Sequence, residues 1–277
     1  MNTRAALQRA ARQAMLAPRR LTAGSRGLPE ALIIGAQKAG TTSLFQYLVQ
    51  HPSVLAPAVK EVHYFDLNFE RGERWYRAHF PRRGELTGGT LTIDASPYYL
   101  VHPLAPERAA ATLPRAKLIA LVRNPVDRAW SHHQHEFRAG RETLSFEEAV
   151  DRESERTDGA EQRLRDEPGH YDWNHHRYTY LRRGQYVDQL ERWVGQFGRE
   201  QLLVLQSEWL FEEPVAATAE VCRFLGLPER PLERYEAFYA GGYTTQMPAE
   251  LRARLVEHFE PFNRDLYRWI GRELDWS

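Results

Sequence analysis

At 277 residues the chain suits one α/β domain with an ample hydrophobic core, and one domain is the expectation. Lys plus Arg equals Asp plus Glu at 37 each, so no global excess of positive charge points to nucleic acid or to a polyanionic surface, and any basic site has to be local. The single cysteine, Cys222, excludes an intramolecular disulfide framework and a multi-cysteine zinc site. No stretch reaches the roughly 18 to 20 consecutive apolar residues of a membrane-spanning helix. A soluble, cytoplasmic protein without a nucleic-acid partner is therefore expected.

The first 28 residues carry Arg4, Arg9, Arg12, Arg19, Arg20 and Arg26, with no acid before Glu30. A flexible basic extension over 1–28 is the expectation, ahead of a folded domain at 29–277. Its Ala- and Leu-rich first half leaves open a basic amphipathic helix that touches a membrane surface. After Pro29, Ala31-Leu32-Ile33-Ile34 predicts a strand buried on both faces. It stops at Gly35, and from Thr42 the residues Leu44, Phe45, Tyr47 and Leu48 recur at helical spacing until His51-Pro52. Leu91-Thr92-Ile93 predicts a second strand. Lys117-Leu118-Ile119-Ala120-Leu121-Val122 predicts a third, ended by Arg123-Asn124-Pro125 and followed by a helix over 126–137. The charged stretch 151–166 reads as an exposed helix or a mobile excursion. Tyr186, Leu190, Trp193, Val194 and Phe197 predict a helix closed by Gly198, and Leu202-Leu203-Val204-Leu205 a fourth strand. Strands alternating with helices predict a parallel, doubly wound sheet flanked by helices.

The loop Gly35-Ala36-Gln37-Lys38-Ala39-Gly40-Thr41-Thr42-Ser43 lies between the first strand and its helix. Amides at a helix N-terminus have no partner within the helix and favour an anion, and glycines allow a phosphate close approach. Lys38 adds a charge, and Thr41, Thr42 and Ser43 add hydroxyl donors. The nucleoside-triphosphate pattern G-x-x-x-x-G-K-[ST] needs lysine directly after its second glycine; here that place is Thr41. Asp94, after the second strand, could still hold a metal, so a P-loop kinase or NTPase stays open at this point.

Gly35-Ala36-Gln37-Lys38-Ala39-Gly40-Thr41-Thr42 resembles the 5′-phosphosulfate loop of sulfotransferases that use 3′-phosphoadenosine 5′-phosphosulfate (PAPS). Arg123-Asn124-Pro125-Val126-Asp127-Arg128-Ala129-Trp130-Ser131 is similar to the family's 3′-phosphate motif, in which a strand-end arginine and a serine two helical turns later hold that phosphate. An arginine fork suits phosphate oxygens, which agrees. Lys60-Glu61-Val62-His63-Tyr64-Phe65-Asp66 resembles a block of the heparan sulfate glucosaminyl sulfotransferases, in which the glutamate is the proposed base.

The resemblance covers most of residues 30–270 and implies a P-loop-type sheet. It also implies PAPS as donor with no metal required, and a glycan or small-molecule acceptor. Glu61, Lys38 and His63 are then catalytic. Gln37, Lys38, Ala39, Gly40, Thr41, Thr42, Ser43, Arg123, Ser131 and Tyr243 bind the donor, and Asp66 and Tyr64 meet the acceptor. Two positions depart from the pattern. The heparan-type enzymes commonly carry lysine where this chain has Ala95, and a basic loop where it has Gly241-Gly242-Tyr243-Thr244-Thr245-Gln246-Met247-Pro248. Less positive charge implies a neutral sugar, glycolipid or small glycosylated product rather than a sulfated polyanion. A non-catalytic glycan-binding module on the same fold is the remaining alternative.

Overall fold

Five short strands, each apolar enough to be covered on both faces, lie side by side and all parallel: β1 (Ala31–Gly35), β2 (Val54–Leu55), β3 (Leu91–Ala95), β4 (Lys117–Val122) and β5 (Leu202–Gln206). The computed structural model describes residues 3–236 and 246–276. The strand order is β2-β3-β1-β4-β5. Ala31 pairs with Ile93 on one side and Lys117 on the other, which puts β1 in the middle. All five β1 residues and all five β3 residues are buried; β1 is apolar throughout, and the polar Thr92 and Asp94 of β3 are hydrogen-bonded, Thr92 to Leu55 O (2.6 Å) and Asp94 to neighbouring hydroxyls.

Helices cover the sheet. Thr41–Leu48 follows β1, Pro125–Arg138 follows β4, Tyr186–Phe197 precedes β5, and Pro214–Leu225 and Ala249–Ile270 complete the packing. The main core gathers Leu32, Ile33, Leu118, Ile119, Trp193 and Leu205. A second core, with Val126, Ala129, Phe146, Tyr180, Leu255 and Phe259, lies between the helices Pro125–Arg138 and Ala249–Ile270. All four expected strands are present. Two-residue β2 is new, and is too short to leave a periodic signal.

Residues 151–166 are largely exposed and helical, as one of the two expected readings has it, but not loose: the helices Glu153–Thr157 and Ala160–Asp166 are anchored by Glu153, 5% exposed, whose carboxylate accepts from the amides of Leu181 (2.6 Å) and Arg182 (2.9 Å). The basic extension, expected to be flexible, is helical over Thr3–Leu21, and its last turn is fastened. Leu16 is buried, Arg19 donates to the carbonyls of Ala78 (2.7 Å) and Phe80 (2.8 Å), and Arg26 donates to Phe80 O (2.8 Å). These cations satisfy the carbonyls left over beyond the end of the helix Gly72–Arg77. No helix among the described residues is long and apolar enough to cross a membrane.

Candidate active site

From β1 the chain moves outward to β2 and β3 on one side, then to β4 and β5 on the other, so the carboxyl ends of β1 and β4 flank a topological switch point. Open α/β sheets bind ligands in that crevice. The loop after β1 is held to β4 by the Ala36 amide on Leu121 O (2.8 Å) and turns on Ala39 N to Ala36 O (3.1 Å). Gly40 has φ 89, and a Cβ there would come within 3.0 Å of the Phe211 ring, so only glycine suits it. The helix Thr41–Leu48 starts with no side-chain cap, leaving its first amides to a ligand. Thr41 and Ser43 are buried beneath the loop with Ala39, while Gln37, Lys38, Gly40 and Thr42 are half-buried at its surface.

Arg123 leaves the end of β4 and donates from Nη1 to Lys38 O (2.9 Å), tying the two phosphate-binding candidates together. Its backbone is fixed by Tyr186, whose hydroxyl accepts from Arg123 N (3.2 Å) and donates to Arg123 O (2.8 Å). Asn124 caps the helix Pro125–Arg138 by accepting from the amides of Val126 and Asp127, and buried Ser131 sits on that helix. Burial lowers the Lys38 ammonium pKa, and the neighbouring Arg138 and Arg123 charges lower it further.

The loop after β2 carries the second half of the site. Glu61 (φ 59) and His63 (φ 55) both adopt left-handed backbone, which sets their side chains side by side. Lys60 Nζ lies 2.8 Å from Glu61 Oε1, His63 Nε2 lies 3.5 Å from Glu61 Oε2, and His63 Nδ1 lies 2.7 Å from Asp66 Oδ2. Burial alone would lower the His63 pKa, but Asp66 and then Glu61 outweigh it and raise it to about 10. Burial alone would raise Glu61, but His63 and Lys60 bring it down to about 2. The group is a carboxylate, an imidazolium and a second carboxylate in a row. Because the folded His63 pKa exceeds its unfolded value of about 6.5, its contribution to stability is complete below that pH and is lost as pH rises towards 10. In Asp66→Asn the loss should be smaller and be complete at lower pH, read as a thermal midpoint whose alkaline decline levels off earlier than in the wild type.

Asp94 holds this turn from below. Its oxygens accept from Ser96 (3.1 Å), Tyr99 (2.8 Å) and Tyr76 (3.0 Å), and the Ser96 and Tyr99 hydroxyls in turn accept from the amides of His63 (3.0 Å) and Tyr64 (2.8 Å). The sequence leaves Asp94 open as a metal-holding acid; the structure gives its carboxylate to three hydroxyls instead. Tyr64 is also placed otherwise than expected. Its ring is 3% exposed and stacks on Tyr76 with centroids 4.3 Å apart, so it packs the core and does not face an acceptor. Asp66 has a fully buried carboxylate that orients His63 from behind. Tyr243 lies outside the described residues.

A chain of contacts joins the two halves, and sequence reasoning missed it. Arg183 donates to the Gln37 side-chain oxygen and lies 5.0 Å over the Tyr98 ring; Tyr98 stacks on His176 at 4.2 Å, and His176 meets His63 edge-on at 6.3 Å. Arg183 follows Arg182 in a chain rich in arginine, and only its position before Gly184-Gln185-Tyr186 sets it apart.

Residues 28–239 match the sulfotransferase domain. The chain belongs to the sulfotransferase family. A sulfotransferase from Alicyclobacillus acidocaldarius of known crystal structure superposes with a TM-score of 0.72 at 32% identity, covering 90% of this chain and 98% of that one. Human heparan sulfate glucosamine 3-O-sulfotransferase 6 is 30% identical over 92% of this chain and 75% of its own length. The bifunctional heparan sulfate N-deacetylase/N-sulfotransferase 1 of Caenorhabditis elegans is 27% identical over 92% of this chain, which spans 31% of that larger protein. The sulfotransferase reading overrides both the kinase alternative and the non-catalytic one, and the P-loop-type parallel sheet agrees with it.

Proposed function

We propose that this sulfotransferase transfers a sulfuryl group from PAPS to a carbohydrate hydroxyl, with Glu61 as general base. The observation that carries the reading is the placement of an ionised Glu61, bracketed by Lys60 and His63, in contact through His176, Tyr98 and Arg183 with a phosphate loop that bears Lys38. The donor fits the residues present: uncapped helix amides, the half-buried Lys38 and Arg123 charges, and buried hydroxyls converge after β1 and β4. When bound, PAPS supplies the sulfuryl group on a phosphate leaving group. Amides of the loop, with Thr41, Thr42 and Ser43, hold the 5′-phosphosulfate end; Arg123 and Ser131 select the 3′-phosphate. Glu61 accepts the proton of the acceptor hydroxyl, His63 holds Glu61 in place, and Lys38 offsets charge developing on the leaving oxygen.

The names of the human and nematode relatives, which specify heparan sulfate, support a carbohydrate acceptor. The absence of lysine at Ala95 favours an acceptor with little negative charge, and the nematode relative's N-sulfotransferase name makes an amine the second acceptor chemistry to assay. The testing experiment is calorimetric binding of 3′,5′-diphosphoadenosine, 5′-AMP and ATP in EDTA. Tight binding of the 3′-phosphorylated ligand alone is expected, weakened in Arg123→Ala by about 10- to 100-fold for a lost charge-assisted contact. Preference for ATP, there or in a parallel titration with Mg²⁺ in place of EDTA, would overturn the donor assignment, and normal affinity in Arg123→Ala would overturn the 3′-phosphate contact.

A further inference from the structure

Arg183 sits on the turn Arg182–Gly184, which presses against the start of the helix Pro125–Arg138. That approach needs Gly184, where a Cβ would come within 2.7 Å of Phe259 and 2.8 Å of Pro125. The Arg183 side chain is sealed in, at 2% exposure. Each group it donates to is uncharged: the Thr179 hydroxyl (2.8 Å), the carbonyls of His175 (3.2 Å) and His176 (2.9 Å), and the Gln37 side-chain oxygen.

No ion pair to a carboxylate is formed by Arg183 among the described residues. Glu136, whose field reaches it, is already taken by Arg141 (2.5 Å) and Arg177 (3.5 Å). Buried Glu153 also lies within the field of Arg183, but its carboxyl is bonded to the amides of Leu181 and Arg182 and burial raises its pKa to about 7; the neighbouring charges of Arg128 and Arg177 are positive. Arg128, fully buried, donates to the Tyr180 carbonyl, while its Nε and Nη1 have no partner. His132, also fully buried on the same helix as Ser131, has no partner at either ring nitrogen, and burial followed by the Arg183 and Arg128 charges keeps it neutral. Burial likewise lowers Arg183, to about 10.

A buried charge with no counter-charge costs folding stability unless something anionic balances it. A purely structural strut between three neutral acceptors has no need of that charge. Its fourth partner decides the matter, because Gln37 stands at the head of the phosphate loop.

We propose that Arg183 is a positioning residue of the donor site: it fixes Gln37 at the head of the phosphate loop, and its charge is balanced by the phosphosulfate anion that the loop holds. The inference rests on the donor reading above. The test compares wild type, Arg183→Leu and Arg183→Lys in the full chain, by calorimetry with 3′,5′-diphosphoadenosine, by thermal midpoint with and without pyrophosphate, and by steady-state kinetics. In Arg183→Leu, affinity for the diphosphate should fall about 10- to 100-fold, with a shallower salt dependence. KM for PAPS should rise more than kcat falls, pyrophosphate should no longer raise the midpoint, and the ligand-free midpoint should not drop. Arg183→Lys, keeping charge without the fork, should fall between. A lower ligand-free midpoint with diphosphate affinity within about twofold of wild type would make Arg183 a structural strut and sink the proposal. Wild type stabilised by pyrophosphate but not by the diphosphoadenosine would refute the PAPS reading and leave Arg183 as an anion-balancing charge. Wild type stabilised by neither would refute Arg183.

Discussion

Glu61→Gln is expected to lower turnover by about 10²- to 10⁴-fold, the range a general base supplies, while affinity for 3′,5′-diphosphoadenosine stays close to wild type. The substitution keeps the shape of the side chain and removes its capacity to take a proton. The argument rests on what surrounds the carboxylate. Its side chain is 44% exposed, so an acceptor can reach it, and the hydrogen bond from His63 with the Lys60 charge holds it ionised, at a pKa of about 2, against the opposing effect of burial. So weak a base does not deprotonate a sugar hydroxyl in advance; it takes the proton as the oxygen commits to sulfur and becomes acidic. Steady-state kcat at saturating donor, together with calorimetry, separates the two effects. Unimpaired turnover would remove Glu61 from the mechanism.

How far the sequence reached depends on where each signal resides. β1 and β4 were legible because burial on both faces demands unbroken apolar runs, and the loops after them because phosphate chemistry needs glycine, lysine, arginine and hydroxyls at fixed places. Glu61, His63 and Asp66 could be picked out by resemblance, but their relation could not, since it depends on two left-handed residues that are not glycine and on Asp94 holding two amides through Ser96 and Tyr99. Tyr64 was placed at the acceptor through the resemblance alone; in the structure helical geometry in Tyr64–Leu67 turns it onto Tyr76. Arg183 was invisible for the opposite reason. An arginine on a short turn is ordinarily solvated, and only the close packing permitted by Gly184 buries this one.

Lys38→Ala should cost about 10²- to 10³-fold in kcat, the loss that follows removal of one preorganised group facing developing charge, and should weaken donor binding as well. Both effects are expected because a lysine facing the bridging oxygen meets negative charge in the bound donor and more of it as the bond to sulfur breaks. The environment adds a pH signature. Burial, then Arg138 and Arg123, lower the Lys38 pKa, so in the free enzyme its charge is lost on raising pH before that of an ordinary lysine near 10.4. The kcat/KM profile, which reports the free enzyme, should therefore fall on its alkaline side below the usual lysine range. His63, raised to about 10, would also shape that limb, and the two are separable. Lys38→Arg keeps a charge that does not titrate in this range, so it should carry the limb to higher pH at reduced kcat, whereas Asp66→Asn should bring any His63-dependent limb to lower pH. A limb that ignores both substitutions would place the titrating group elsewhere, and a Lys38→Ala enzyme that kept wild-type kcat while losing only donor affinity would make Lys38 a binding charge and leave the leaving oxygen to the loop amides.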